Sequence, residues 1–285
     1  GQNSSRGGKR RMAASGKRIF VTGGNSGIGL ALCKQLASEH GAFVFLGSRS
    51  AQKGAEALAS IVQQAPACAD KIQVVEVDVG SDASVAAAAE RVKSLLGEEK
   101  LYALANNAGT GLAHGSSGEE MMNVNFYGPK RMTEAFLSLI HPTEGRVVNV
   151  GSGSGPSWAA KQPEERKRLV CSPAITMEQI QAIADEPIDG SEYGRSKALL
   201  ASYTMCMART HPKILWSCLS PGFIDTKIVA GFGASKKPEE GTVSLRHCLF
   251  APLEGNGWFY SSDAVRGPLH FMRNPGEPPF TGDYP

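Results

Sequence analysis

The feature that most restricts the fold is an alternation. From residue 17 onward, short runs of β-branched and aromatic residues take turns with longer stretches in which apolar side chains recur three and four residues apart. The short runs are strand-sized, and the three-to-four repeat puts an apolar stripe along one side of a helix. Strands alternating with helices assemble as a parallel sheet covered by helices. Strands are predicted over residues 18–22, 43–48, 72–77, 101–105, 146–150, 214–219 and 257–260. Between the first two, Ile28, Ala31, Leu32 and Leu36 form a helical stripe that Gly41 ends. Further helices are predicted over 51–64, 84–96, 121–140, 192–210 and 238–250. The expected fold class is α/β, a doubly wound, Rossmann-type parallel sheet of about seven strands.

Residues 17–285 contain no internal repeat or linker that would divide them, so a single catalytic domain is expected. One stretch breaks the rhythm. Forty residues separate Ser152 from Tyr193, longer than compact domains leave without regular structure, so a helical insertion is expected at about 153–192. Within it Thr176 and Gln179 have capping-box spacing, and Met177, Ile180, Ile183 and Ala184 then share a face until Pro187. The charged run 164–168 reads as a solvated turn or short helix, and the proline-rich stretch 274–279 as an extended tail.

An apolar content of 41% is ample for a core, and no run approaches the roughly 18 apolar residues of a membrane-spanning helix. A soluble, cytoplasmic protein without a membrane partner is expected. The net charge of +3 is concentrated at the start: Arg6, Lys9, Arg10, Arg11, Lys17 and Arg18 leave the rest of the chain at −3, which argues against a nucleic-acid partner. Residues 1–16, Gly/Ser/Arg-rich and without apolar periodicity, are expected to be a disordered basic leader. Met12 then reads as the natural start, with residues 1–11 an added sequence and a targeting peptide the rival reading. Cys33, Cys68, Cys171, Cys206, Cys218 and Cys248 lack C-x-x-C spacing and read as reduced thiols. His40, His114, His141, His211, His247 and His270 show no ligand spacing, so no metal is expected.

The first site with chemical content is Thr22-Gly-Gly-Asn-Ser-Gly-Ile-Gly29, between the first strand and the first helix. Gly23, Gly27 and Gly29 let a dianionic pyrophosphate approach the backbone, with Asn25, Ser26 and Ile28 completing the loop, while helix N-terminal amides donate to its oxygens. Ser48-Arg49 ends the second strand, where a dinucleotide fold meets the adenosine ribose. A neutral residue followed by arginine admits and pairs with a 2′-phosphate, which points to NADP(H) rather than NAD, with Asn25 as a second phosphate contact. Tyr193 and Lys197, four apart, share a helix face, and a nearby ammonium favours the phenolate.

Taken in chain order, TGGNSGIG, Asp78-Val79, Asn106-Asn107-Ala108-Gly109, Asn125 in Asn-Phe-Tyr-Gly, Ser152 closing Val-Asn-Val-Gly-Ser, Tyr193-Gly-Arg-Ser-Lys197 and Ser220-Pro221-Gly222 resemble the short-chain dehydrogenase/reductase family over residues 17 to about 265. Arg49, the insertion and the pattern from Glu239 to Asp263 are most similar to the monomeric NADPH-dependent carbonyl reductases. The resemblance implies hydride transfer between nicotinamide and a small-molecule carbonyl or alcohol, with Asn125, Ser152, Tyr193 and Lys197 catalytic. It places Asp78 and Val79 near adenine, Asn106, Ala108 and Gly109 against the coenzyme, and Pro221 and Gly222 near the nicotinamide; Phe223 and Ile224, which follow them, are expected to flank the nicotinamide or the pocket mouth, with plain packing the rival reading. Ser152, Trp158, Tyr193 and Phe223 are expected to line the substrate pocket, with Trp158 alternatively an anchor of the insertion. The implied activity is reduction of small or medium ketones, aldehydes or quinones with Tyr193 as proton donor. An NADP-linked alcohol dehydrogenase acting oxidatively and a non-catalytic dinucleotide sensor are the rival readings. A monomer is expected, because the insertion covers helices that relatives use to assemble. Two departures stand out: Gly151 replaces a serine common in the family, and the segment between Gly109 and Asn125 is short.

Overall fold

The computed structural model describes residues 16–111, 113, 115–231 and 233–283. The leader through residue 15 and His114 lie outside the described residues. Seven strands form one sheet in the order β3-β2-β1-β4-β5-β6-β7. They are β1 (Arg18–Val21), β2 (Phe43–Ser48), β3 (Ile72–Glu76), β4 (Ala103–Asn106), β5 (Arg146–Val150), β6 (Leu215–Leu219) and β7 (Trp258–Tyr260). Every neighbouring pair is parallel. The fold is the doubly wound α/β class that the alternation predicts.

Successive strand side chains point to opposite faces, and the core divides accordingly. Ile19, Val21, Val44 and Leu46 pack with Leu32 and Leu36 of α1 (Gly27–Ser38), Ile61 of α2 (Ala51–Gln64) and Leu245 and Leu249 of α10 (Val243–Phe250). Phe20 and Phe45 face the other way, onto Val85 and Val92 of α3 (Asp82–Leu96), Phe136 of α5 (Gly128–Phe136) and Leu199 and Leu200 of α9 (Glu192–Thr210). The chain builds outward in both directions from β1 and β4, so their carboxyl ends frame the crevice where such sheets bind ligands.

The insertion carries three helices, α6 (Ser154–Ala160), α7 (Glu164–Cys171) and α8 (Met177–Ala184). The capping box is formed: Gln179 N donates to Thr176 Oγ1 at 3.3 Å, and Thr176 N donates to Gln179 Oε1 at 3.0 Å. The charged run opens α7, while α6 was not foreseen. Its packing rests on two glycines, since a Cβ on Gly155 would stand 3.0 Å from the Lys197 carbonyl carbon and one on Gly194 2.9 Å from Trp158 Cβ. The two helices therefore cross backbone to backbone.

The helix expected over 121–140 is not continuous. A short α4 (Gly118–Met122) passes into a π turn over Asn123–Tyr127 before α5 begins. Pro129 accounts for the break, because it has no N–H for the Asn125 carbonyl and its ring crowds that oxygen. β4 also starts later than expected, since Leu101 bridges to Ile140 instead of opening the strand. The six cysteines are free and buried. Among the described residues no helix is long and apolar enough to cross a membrane, and no cluster of potential metal ligands occurs.

Candidate functional site

The glycine-rich loop leaves β1 and enters α1 with Gly23 at φ +64° and Gly27 at φ +51°, conformations that side-chain-bearing residues rarely adopt. Gly29 is required for a different reason: a Cβ there would overlap the Gly23 carbonyl oxygen. Ser26 is the N-cap of α1, and its side chain makes no cap hydrogen bond, so the first-turn amides keep their donors for a ligand. Half-buried Asn25 and Ile28 complete the turn. A close-approach backbone with free helix amides fits a dinucleotide pyrophosphate.

The loop is held from the end of β4 by Asn107, a motif residue whose spacing alone assigned it no role. Asn107 Nδ2 donates to the Thr22 and Gly23 carbonyls at 2.9 and 3.3 Å, while Thr22 Oγ1 accepts the Asn107 and Ala108 amides, both at 2.9 Å. Ala108 itself lies against Gly23. Asn106 ends β4 pointing inward, where its amide donates to Asn149 Oδ1 at 2.9 Å and Thr133 Oγ1 at 3.4 Å. Strand alternation separates the two asparagines, so only the second reaches the loop.

At the end of β2, Ser48 is buried and its hydroxyl donates to the Ser50 carbonyl. Arg49 is exposed and makes no hydrogen bond or ion pair among the described residues. The guanidinium is thus available to an anion from solvent. Beyond β3, Asp78 Oδ1 accepts the Gly80 amide at 2.9 Å, and the Val79 carbonyl accepts from Arg131 Nη1 at 3.0 Å. Arg131 also pairs with Asp82 and donates to Asn123, in the π turn. The adenine end predicted at 78–79 is therefore bonded to the segment that carries Asn125.

The four predicted catalytic side chains come from three elements. Asn125, fully buried in the π turn, accepts the Thr110 amide at 2.9 Å and donates to the Thr110 carbonyl at 3.0 Å and Ser196 Oγ at 3.5 Å. Ser152 follows β5, and Tyr193 and Lys197 share one face of α9. A Cβ on Gly109 would stand 3.3 Å from Asn125 Oδ1 and 3.7 Å from Lys197 Nζ, and one on Gly111 3.4 Å from the Tyr193 ring. The segment after β4 thus runs through the middle of the group. Gly151 is explained by crowding, since a Cβ there would meet Cys218 Sγ and the Leu219 carbonyl, both at 2.9 Å.

The electrostatics depart from expectation. Burial pushes the Tyr193 hydroxyl above its ordinary value, and a hydrogen bond with Ser152 acts in the opposite direction. Lys197 Nζ lies 6.0 Å from the Tyr193 ring centroid and donates to the Val150 carbonyl at 2.9 Å. Burial lowers the Lys197 ammonium to about 8. The expected lowering of the tyrosine by the lysine does not appear: burial dominates, and the opposing contribution comes from Ser152 rather than from Lys197.

After β6, Gly222 adopts φ +90° against Ser262, Pro221 precedes it, and Phe223 is 50% exposed. Ile224 turns inward to Ile28 and Gly241. Two residues outside the predicted set reach back over the crevice. Thr226 Cγ2 lies 3.1 Å from the Cβ position of Gly27, and Ile228 Cγ2 3.0 Å from that of Gly111. Their approach is a long-range consequence of the fold, and the only sequence cue is their position just after Pro221-Gly222. Trp158 is 8% exposed, within the core, and its Nε1 donates to Ser191 Oγ at 3.1 Å. This is the placement of an anchor for the insertion.

A parallel sheet with a glycine loop at its switch point, and with Ser152, Tyr193 and Lys197 beside it, defines a dinucleotide-dependent class of enzyme. The chain belongs to the short-chain dehydrogenase family, whose model matches residues 17–163, and is an oxidoreductase of that family. It is similar to (+)-neomenthol dehydrogenase of Arabidopsis thaliana, 30% identical over 286 residues that cover 86% of this chain and 96% of that one. Short-chain dehydrogenase/reductase 1 of Saponaria officinalis is 32% identical over 297 residues, covering 88% and 96%. Among solved structures, salutaridine reductase from Papaver somniferum superposes with a TM-score of 0.73 at 28% identity, covering 86% of this chain and 99% of that one.

Proposed function

We propose that this protein is an NADPH-dependent carbonyl reductase acting as a monomer on small or medium ketones, aldehydes or quinones. The observation that carries the reading is the gathering of Tyr193, Lys197 and Asn125 around residues 109–111, with Ser152 hydrogen-bonded to Tyr193, beside a glycine loop open to a pyrophosphate. Unpartnered Arg49 supports NADPH as the coenzyme. Relatives named as a neomenthol dehydrogenase and a salutaridine reductase support the reaction class. Packing of α6, α7 and α8 on α9 supports the monomer, because it covers that helix.

Bound NADPH would supply the hydride that reduces the carbonyl carbon. Ser152 donates a hydrogen bond to the substrate carbonyl oxygen and so polarises it. Tyr193 delivers its proton to the same oxygen as charge develops there. A tyrosine hydroxyl, at about 10 even when unshifted, is protonated at neutral pH, which suits the reducing direction. Lys197, fixed by the Val150 carbonyl, holds a positive charge beside the ring and would hold the nicotinamide ribose. Asn125 fixes a water through which replacement protons enter. The test is NADPH consumption by the purified protein against a panel of quinones, aldehydes and ketones. Turnover with at least one class is expected, whereas tight NADPH binding with no consumption would favour the sensing role and overturn the proposal.

A further inference from the structure

Only five large apolar side chains among the described residues are strongly exposed, and three of them, Phe223, Phe271 and Met272, belong to the segments that follow β6 and β7. Met272 Sδ lies 3.1 Å from the Cβ position of Gly153, the residue after Ser152, and accepts from Ser157 Oγ at 3.8 Å. A tail with 55% of Met272 and 44% of Phe271 in solvent would be expected to be loose. This one is tied on both sides. Leu269, 5% exposed, is packed into the core ahead of it.

Arg273, 3% exposed in its side chain, closes the other side with a two-pronged ion pair to Asp263, at 2.9 Å to Oδ1 and 3.0 Å to Oδ2. The same carboxylate accepts the Gly276 amide at 3.0 Å, and Arg273 Nε donates to the Pro278 carbonyl at 2.9 Å. The neighbour of Asp263, Ser262, is the residue against which Gly222 packs, so the tie also borders the segment carrying Phe223. Large apolar groups fixed in solvent beside a reaction centre are contact surfaces for a ligand. A thioether adapts to irregular apolar shapes.

We propose that Met272, held in place by the Asp263–Arg273 ion pair, is a specificity-determining wall of the substrate site, selecting carbonyl compounds with a bulky, apolar, ring-sized body. The inference rests on the reductase reading and gives its substrate class. The carbonyl oxygen lies at Ser152 and Tyr193, and the apolar body extends from it across Gly153 onto Met272.

Two measurements test it. Wild type, Met272→Gln and Asp263→Asn are compared for kcat/KM with 2-decalone, a bicyclic ketone, and with propanal, each with NADPH. Both substitutions are expected to lower the 2-decalone-to-propanal ratio by about tenfold. Separately, peroxide oxidation of Met272 is followed by peptide mass spectrometry with NADP+ alone and with NADP+ plus 2-decalone. The ketone is expected to slow sulfoxide formation about threefold by covering the sulfur. An unchanged ratio together with unprotected Met272 would overturn the wall while leaving the reductase reading intact. Protection without NADPH consumption by wild type would support the wall and overturn the reductase reading.

Discussion

Arg49 and Lys197 are the residues whose charge has the most specific consequences. Arg49 stands at the end of β2 without a protein partner, so its replacement should leave the fold undisturbed and weaken NADPH selectively. Arg49→Ala is expected to lower the preference for NADPH over NADH by on the order of 10- to 100-fold, the range of a charge-assisted contact. Equal preference in wild type would show that the arginine does not meet a phosphate. Lys197 carries its charge below about 8 and loses it above, because burial has lowered it. The kcat/KM for reduction should therefore fall as pH rises through that value, and Lys197→Arg should remove this limb, since a guanidinium stays charged. A profile flat between about pH 7 and pH 9.5 would contradict a role for the ammonium.

The elements place these residues, and they differ in how far they can be read from sequence. The glycine loop was legible because its demands are local: turns at Gly23 and Gly27 and a close approach at Gly29. Gly29→Ala is expected to abolish NADPH binding measured by fluorescence titration, since the new methyl group collides with a backbone carbonyl. Strands β2 and β5 were read to the residue because their apolar runs are bounded by Gly41 and Gly145 and by the chemistry that follows. The π turn was missed because apolar periodicity registers side chains and ignores a missing N–H. Pro129 was the cue. Pro129→Ala restores that donor and favours a regular helix, which would rotate Asn125 away from Thr110. It is expected to lower kcat by about tenfold with no loss of thermal stability. Unchanged kcat would show that the turn does not serve the site.

At the scale of the whole molecule, the insertion both closes α9 and supports the site. Ser202 Oγ donates to the Val170 carbonyl at 2.6 Å, and Arg209 Nη2 donates to the Ile175 carbonyl at 2.7 Å, so α7 and the turn before α8 are bonded along its length. Tyr127 OH donates to Asp185 Oδ1 at 2.9 Å, tying the far end of α8 to the π turn. Sedimentation is expected to give a single species near the chain mass of 30.1 kDa, and a stable tetramer would show that the covered helix is not what prevents assembly. The insertion was legible as a length anomaly with one capped helix, and its covering of the assembly helices only through the family resemblance; no local pattern signalled the contact itself, because Gly155 and Gly194 meet only when both helices exist. The tail was equally opaque, since nothing local pairs Asp263 with Arg273. What the assembled molecule achieves is delivery of a tyrosine hydroxyl to the serine after β5, apart from the loop that would hold the coenzyme. Turnover by Tyr193→Phe, measured beside its NADPH dissociation constant, tests this most directly. The account predicts a fall in kcat of about a thousandfold with the dissociation constant changed less than about threefold. A Tyr193→Phe enzyme that keeps wild-type turnover would contradict it.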